Sequence, residues 1–188
     1  MKNNLVTYTE KFLLDYNGTE IMREWETPIM KKHVDILNIN TDSVLEIGFG
    51  MGISADYIQT KKPTKHTIIE INDIICLKAK KWSENYKNIE IIHSSWQEVI
   101  DLLHRYDCIF FDTYNDNPFE FYKKVDGLLN IGGRFSYFDV ENWFNNNSNY
   151  NVIRECDKVT EVKQDGTSIV HDYCVPLYIK NENSSFLF

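Results

Sequence analysis

Hydrophobic positions recur along the chain in two alternating patterns, and this alternation predicts the fold. Short apolar runs rich in branched residues predict strands at 43–47, 67–71, 89–92, 108–111 and 134–138. Apolar residues spaced three and four positions apart predict helices at 25–37, 53–59, 74–86, 97–103 and 119–129. Because strands and helices alternate, we expect right-handed crossovers and a mostly parallel sheet with helices on both faces.

The two ends of the chain differ from this alternating middle. Residues 1–17 are polar with interspersed aromatic residues, a pattern that predicts an arm or short helix folding only against the body. Strand-like runs at 155–162 and 168–179 flank an Asp-Gly turn, which predicts an antiparallel C-terminal hairpin. For the connection at about 143–154 we expect a short helix, reduced relative to that of the family described below. The expectation is one α/β domain over residues 1–188 with a seven-stranded sheet.

Charge and composition exclude several classes of partner. Lys and Arg number 20 against 28 Asp and Glu, so the net charge of −8 has the wrong sign for a nucleic-acid backbone. No apolar run approaches the roughly 18 residues of a membrane span, and the N-terminus lacks a signal-peptide core, so we expect a cytoplasmic protein. The four cysteines lack CxxC spacing and the five histidines are scattered, so neither a disulfide framework nor a metal site is expected.

A glycine turn after the first strand of the predicted sheet indicates a nucleoside ligand. Gly48, Gly50 and Gly52 open a predicted helix, where a backbone without Cβ atoms lets a ligand come close. Glu70 ends the next strand, where an acidic side chain can accept bonds from ribose hydroxyls. The GxGxG spacing together with Glu46 is typical of S-adenosylmethionine sites, whose ligand has no pyrophosphate. The alternative is that these glycines form only a tight turn and that Glu70 is a solvated strand end.

The segment after the third strand of the predicted sheet adds two candidate cofactor contacts. Ser95 and Trp96 follow this strand, where an adenine would rest against the sheet edge, and the indole of Trp96 would offer it a face or an edge. The alternative is that Trp96 is an ordinary core residue.

Four segments resemble the guanidinoacetate N-methyltransferases and related arginine N-methyltransferases. They read MREWETPIM at 22–30, VLEIGFGMG at 44–52, IIEIND at 68–73 and FDTY at 111–114. The similarity covers about residues 20–145, and its Trp-Glu-Thr-Pro and Asp-Thr-Tyr elements are more specific than the glycine turn. The resemblance implies a Rossmann-like class I methyltransferase fold, with residues 1–20 as an N-terminal arm folding over the active site.

The resemblance also implies roles for individual residues. Glu26 and Asp112 look like the carboxylates that grip a guanidinium group, Asp112 also bordering the cofactor, and Tyr114 would shape the pocket beside them. Chemistry favours the same pair, because a guanidinium has a pKa above about 12 and carboxylates supply both grip and proton acceptance. Asp112 is the expected base, since ligands bind at the carboxyl ends of strands in open α/β sheets. The alternatives are a loop-capping role for Asp112 and a helix-dipole role for Glu26.

The loop after the fifth strand of the predicted sheet bears on the substrate. It carries Asp139 and Glu141. These two acids would repel the carboxylate of a substrate such as guanidinoacetate, at a cost of about a kcal/mol each. We therefore expect a small guanidino compound with a distant ammonium, such as free L-arginine, with Glu141 contacting it. Guanidinoacetate is the alternative substrate. A protein substrate is less favoured, because protein arginine methyltransferases carry a β-barrel domain and a paired-glutamate loop that this chain lacks.

Two other functions compete with guanidine methylation. An aminopropyltransferase-like enzyme would also place acids at the end of the fourth predicted sheet strand, but it gives the Trp-Glu-Thr-Pro segment no role. A catalytically silent nucleoside-binding module would use Tyr8, Phe12 and Tyr16 as a docking arm. The reduced connection before the hairpin leaves either a more open pocket or one completed by a second subunit, so a homodimer is one expectation. The sequence leaves open the nitrogen that is methylated and the number of methyl groups.

Overall fold

The computed structural model describes residues 5–138, 149–163 and 165–182, and the chain begins with a small antiparallel sheet. Its strands are β1 Thr7–Tyr8, β2 Phe12–Leu14 and β3 Glu20–Arg23. The Asp15 carboxylate accepts the backbone N–H groups of Asn17 and Thr19, both at 2.8 Å, and so closes the turn between β2 and β3. The segment expected as an arm or short helix is therefore a sheet, because local turn chemistry and the burial of Leu13 outweigh its polar composition.

Five α-helices follow within the described residues, and each lies close to a predicted helix. They are α1 Thr27–Ile36, α2 Ile53–Thr60, α3 Asp73–Ser83, α4 Trp96–Val99 and α5 Pro118–Leu128. A 3-10 turn at Glu24–Glu26 leads into α1, and another at Ile100–Leu102 extends α4. Asn72 caps α3 by accepting the N–H groups of Ile74 and Ile75 at 2.9 and 3.1 Å.

The main sheet has seven strands, as the sequence predicts. They are β4 Ser43–Ile47, β5 Lys65–Glu70, β6 Ile89–His93, β7 Tyr106–Phe111, β8 Leu129–Tyr137, β9 Tyr150–Val162 and β10 Ser168–Lys180. Their spatial order is β6-β5-β4-β7-β8-β10-β9. Strands β4 to β8 pair in parallel, whereas β10 is antiparallel to both β8 and β9. Successive residues of β4 and β7 enter two separate apolar clusters, so both faces of the sheet are covered.

The C-terminal hairpin is longer than its sequence pattern predicts. Strand β9 begins at Tyr150, which pairs with Lys180, and the ladder continues to Val162 opposite Ser168. The last part of the helix predicted at 143–154 is therefore strand, because non-local pairing with β10 outweighs local helical spacing. Residues 143–148 lie outside the described residues.

A disulfide joins the two strands of the hairpin and corrects the expectation of no disulfide. Cys156 lies directly opposite Cys174, with a Cα–Cα distance of 4.0 Å, and their sulfur atoms are bonded. Spacing along the chain could not reveal this pair, because strand register decides which cysteines meet. Cys76 and Cys108 are buried and free.

The lengths and hydropathy of α1 to α5 are those of helices that pack on a sheet. Within the described parts of the chain, no helix is both long and apolar enough to cross a membrane.

Candidate active site

The carboxyl ends of three neighbouring strands meet at one edge of the main sheet. The N–H of Gly48, after β4, donates to the Ile69 carbonyl at 2.9 Å, and the N–H of Asp112, after β7, donates to the Ile47 carbonyl at 2.9 Å. Gly48 has a φ of +92°, and a Cβ there would lie 1.9 Å from the Asp112 carbonyl oxygen. Only glycine allows this approach, which brings the glycine turn beside Asp112.

Glu70 ends β5 directly beside the glycine turn. Its carboxylate accepts the N–H of Phe49 at 2.9 Å on one oxygen and the N–H of Asn72 at 2.7 Å on the other. Burial raises the pKa of Glu70, while these backbone donors act in the opposite direction. Backbone N–H groups of Ile71 and Gly50 also act on this carboxylate and lower its pKa. This arrangement fits the two hydroxyls of a ribose and therefore the predicted nucleoside cofactor.

Glu46 is fully buried and has two partners inside the protein. The Ser54 hydroxyl donates to one carboxylate oxygen, and Nε2 of His66 lies 2.9 Å from the other. His66 in turn contacts the Gln59 side chain at 3.0 Å. These bonds tie β4 to α2 on both sides of the glycine turn, so Glu46 shapes the turn through its neighbours. A direct contact between Glu46 and the cofactor stays a prediction.

The small N-terminal sheet packs against the glycine turn. The Tyr8 hydroxyl donates to the Gly50 carbonyl at 2.6 Å, and the Lys78 ammonium lies 3.0 Å from the centroid of the Tyr8 ring. The Met22 sulfur accepts the N–H of Met51 at 3.4 Å. Burial, with the Glu70 charge beside it, raises the pKa of Tyr8, so its hydroxyl stays a donor. The family resemblance implies an arm over the active site, but the individual contacts of Tyr8 and Met22 could not be predicted from the sequence, because they join segments distant in the chain.

Asp112 lies half-buried at the end of β7 in an environment that disfavours its charge. Among the described residues, no group donates a hydrogen bond to its carboxylate. Burial, followed by the negative charges of Glu26 and Glu46, raises the pKa of Asp112 to about 7. A carboxylate in this environment is stabilised by an incoming cation or hydrogen-bond donor.

Glu26 approaches Asp112 from the first helical turn of the chain. It is the last residue of the 3-10 turn before α1, and its carboxylate accepts the Arg23 N–H at 2.8 Å. Burial raises the pKa of Glu26, whereas the Arg23 backbone bond and the Arg23 charge oppose that shift. The Glu26 charge contributes to the raised pKa of Asp112, and a joint grip of the two carboxylates on one substrate stays a prediction.

The remaining candidate residues are placed less decisively. Trp96 is buried, packs edge-on against Phe111 and Phe121, and donates its indole N–H to Asp116, which favours the core alternative. Ser95 precedes α4 without a side-chain capping bond, and Tyr114 is 39% exposed after β7. Adenine contacts by Ser95 and Trp96 and a pocket role for Tyr114 stay predictions. Asp139 and Glu141 lie outside the described residues.

Strand order and the glycine turn define the class of this protein as a class I methyltransferase domain, and solved structures share the fold. A precorrin-6y C5,15-methyltransferase from Geobacter metallireducens has a TM-score of 0.66 at 16% identity, covering 90% of this chain and 94% of that one. An O-methyltransferase from Bacillus cereus in complex with S-adenosylhomocysteine has a TM-score of 0.61 at 13% identity, covering 81% of each chain. At these identities the likeness shows the fold.

The chain belongs to the guanidinoacetate N-methyltransferase family, whose model matches residues 5–168. A protein arginine N-methyltransferase 2 from Candida glabrata is 34% identical over 152 residues, covering 73% of this chain and 37% of the relative. The protein of the same name from Saccharomyces cerevisiae is 31% identical over 154 residues, covering 74% and 37%. This chain therefore spans little more than a third of the length of these relatives. The resemblance identified from the sequence is confirmed.

Proposed function

We propose that this protein transfers a methyl group from S-adenosylmethionine to a guanidino nitrogen of arginine. The observation that supports this proposal most is the Asp112 carboxyl at the end of β7, beside the glycine turn and under the influence of the Glu26 charge. Asp112 has no hydrogen-bond donor among the described residues and a pKa raised to about 7. A guanidinium offers several N–H donors and a positive charge, and so supplies what this pair of carboxylates lacks.

The two carboxylates have different tasks in this proposal. Glu26 accepts an N–H of the guanidinium and fixes the plane of the group. Asp112 accepts a second N–H and takes up the proton that the nitrogen must lose. S-adenosylmethionine, when bound, supplies an electrophilic methyl group on a sulfonium. A pKa near 7 lets Asp112 hold a proton or release it close to neutral pH.

The cofactor half of the site fits S-adenosylmethionine. Glu70 presents its carboxylate at the end of β5, where ribose hydroxyls would bind. The glycine turn lies between Glu70 and Asp112, because Gly48, which has no Cβ, lets the Asp112 carbonyl come close. In this proposal the N-terminal sheet covers the turn through Tyr8 and excludes water from the cofactor.

Two forms of arginine compete as the substrate. The relatives named protein arginine N-methyltransferase 2 favour an arginine within a protein, whereas the acids of the loop at 139–143 led us to expect free arginine. The net charge of −8 suits a cationic substrate of either kind. A homodimer stays an expectation.

The test is a mass-spectrometric assay with S-adenosylmethionine and four substrates, scored for the gain of one methyl group. The substrates are free arginine, an arginine-containing peptide, agmatine and guanidinoacetate. A gain on either form of arginine supports the proposal and identifies the form. A gain on guanidinoacetate alone keeps the family chemistry and contradicts the choice of arginine.

A variant pair links the assay to the site. Glu26→Gln should raise KM for the guanidino substrate about tenfold or more, because the amide cannot pair with the cation. Glu24→Gln, on the exposed side of the same turn, is the matched control and should stay within twofold. Cofactor binding with no methyl transfer to any of the four substrates would favour the silent module. Turnover only with decarboxylated cofactor and a polyamine would favour the aminopropyltransferase.

A further inference from the structure

The C-terminal hairpin places a buried carboxylate beside the turn that carries Glu26. Glu161 on β9 is 9% exposed, and its Oε2 atom lies 3.1 Å from Nε2 of His171 on β10. His171 pairs with Val159 and Ile169 pairs with Glu161, so Glu161 and His171 are diagonal neighbours on one face of the hairpin. The other oxygen of Glu161 lies 3.8 Å from the Arg23 guanidinium.

Both partners of Glu161 contact Glu26 or the residue next to it. The His171 ring stacks on Trp25, with centroids 4.5 Å apart and planes 10° apart, and Trp25 is the residue before Glu26. Arg23 donates its backbone N–H to the Glu26 carboxylate at 2.8 Å. Glu161 therefore contacts the segment just before Glu26 at two points, directly at Arg23 and through His171 at Trp25.

The charges of these groups shift the pKa of Glu26. The charged groups that act on Glu26 from neighbouring elements are Arg23 on β3, Glu161 on β9 and His171 on β10. Arg23 and His171 lower the pKa of Glu26, and Glu161 raises it. A hydrophobic residue of similar size in place of Glu161 would pack at least as well, because burying a carboxylate is costly. Stability alone does not explain the charge at this position.

We propose that Glu161 is a positioning residue for Glu26, holding its turn through His171 and Arg23 so that the carboxylate faces the guanidino group of the substrate. This inference rests on the proposed methyl transfer. It assigns the hairpin a task in substrate binding, since one of its buried side chains sets the geometry of a carboxylate that grips the substrate.

The experiment compares the wild type with Glu161→Gln, using the substrate that the wild type methylates. We expect kcat/KM to fall about tenfold, mostly through a higher KM, because loosening a carboxylate weakens its charged hydrogen bond to the substrate. The cofactor Kd should stay within twofold, and Glu161→Asp should recover most of the loss. The matched control is Glu155→Gln on the same strand, whose carboxylate pairs with Lys32 at 2.5 Å, and it should change kcat/KM less than twofold.

A double-mutant cycle separates positioning from a general effect on the fold. Adding Glu161→Gln to Glu26→Gln should cause little further loss, because the positioned group is already disabled. A full tenfold further loss, or equal weakening of cofactor and substrate, would overturn the inference. If Glu161→Gln does not fold, His171→Gln carries the same cycle with the same two outcomes, because it removes the partner through which Glu161 contacts Trp25. A wild type inactive on all four substrates overturns the proposed function itself, whereas an active wild type with an unaffected Glu161→Gln overturns only the positioning role.

Discussion

The ends of β5 and β7 lie on either side of β4 at the same sheet edge, yet the carboxylates that they carry have opposite surroundings. Glu70 is nearly fully buried, and backbone N–H groups of Phe49 and Asn72 occupy both of its oxygens. Asp112 is more exposed, but it has no donor among the described residues and faces two other carboxylates. Burial raises the pKa of both groups, with donors opposing the shift at Glu70 and like charges adding to it at Asp112.

This contrast indicates what each strand end is built to bind. Glu70 is held in place before any ligand arrives, which suits neutral hydroxyls that need only a fixed acceptor. The Asp112 carboxylate has no hydrogen-bond donor among the described residues to stabilise its charge. This suits a ligand that brings a positive charge and a proton to give up. This difference supports the proposed site, in which a nucleoside binds at Glu70 and a guanidinium at Asp112.

The largest expected effect is at Asp112. Asp112→Asn should lower kcat about a thousandfold, because the amide can neither accept the proton nor balance the guanidinium charge. The cofactor Kd, measured by calorimetry, should stay within about threefold. Asp101→Asn, on the exposed surface, is the control for loss of a carboxylate. Activity within tenfold of the wild type would show that Asp112 takes no part in the chemical step, and it would contradict the contrast between Asp112 and Glu70.

Glu70→Gln should act on binding instead. The amide keeps a single acceptor oxygen for two backbone N–H groups and two hydroxyls, so we expect the cofactor Kd to weaken about thirtyfold. At saturating cofactor, kcat should stay near the wild-type value. Glu90→Gln on neighbouring β6, which pairs with Lys65 on the surface, is the control. A loss confined to kcat would show that Glu70 acts in the chemical step.

The charge at Asp112 should also be visible in stability. Its carboxyl takes up a proton near pH 7 in the native protein but near its ordinary value of 3.8 when unfolded. The charge therefore destabilises the native state above pH 7, and this cost fades as the pH falls toward 4. Asp112→Asn should raise Tm by several degrees at pH 8 and by much less at pH 5, measured by calorimetry. An equal gain at both pH values would contradict the pKa shift.

The smallest expected effect concerns the cover over the glycine turn. Tyr8→Phe removes one hydroxyl bond to the Gly50 carbonyl and should weaken cofactor binding about threefold to tenfold. Tyr16→Phe is the matched control, because Tyr16 lies in the turn between β2 and β3 of the same segment with 57% exposure. Equal Kd values for both variants would show that the Tyr8 contact holds the sheet without helping the cofactor.

Much of the site could be predicted because its parts lie next to strand ends. The glycine turn, Glu70 and Asp112 each follow a short apolar run, and a parallel sheet brings such ends together whatever the details of packing. The segments around Glu26 and Asp112 also carried the family resemblance. Trp96 shows the limit, since the sequence could not tell an adenine contact from the core position in which it packs on Phe111 and Phe121.

The sequence by itself determined the βα alternation and the position of the glycine turn, because these depend on local periodicity and on residues close in the chain. The roles of Glu26 and Asp112 stay predictions, drawn from the family resemblance and from the place of Asp112 at a strand end. Only the tertiary structure decided that the N-terminal segment is a sheet, that Cys156 faces Cys174, and that Glu161 lies beside Glu26. Each of these depends on strand register or on contacts between distant segments. The pKa of Asp112 belongs with them, because burial and the approach of Glu26 and Glu46 exist only in the folded chain.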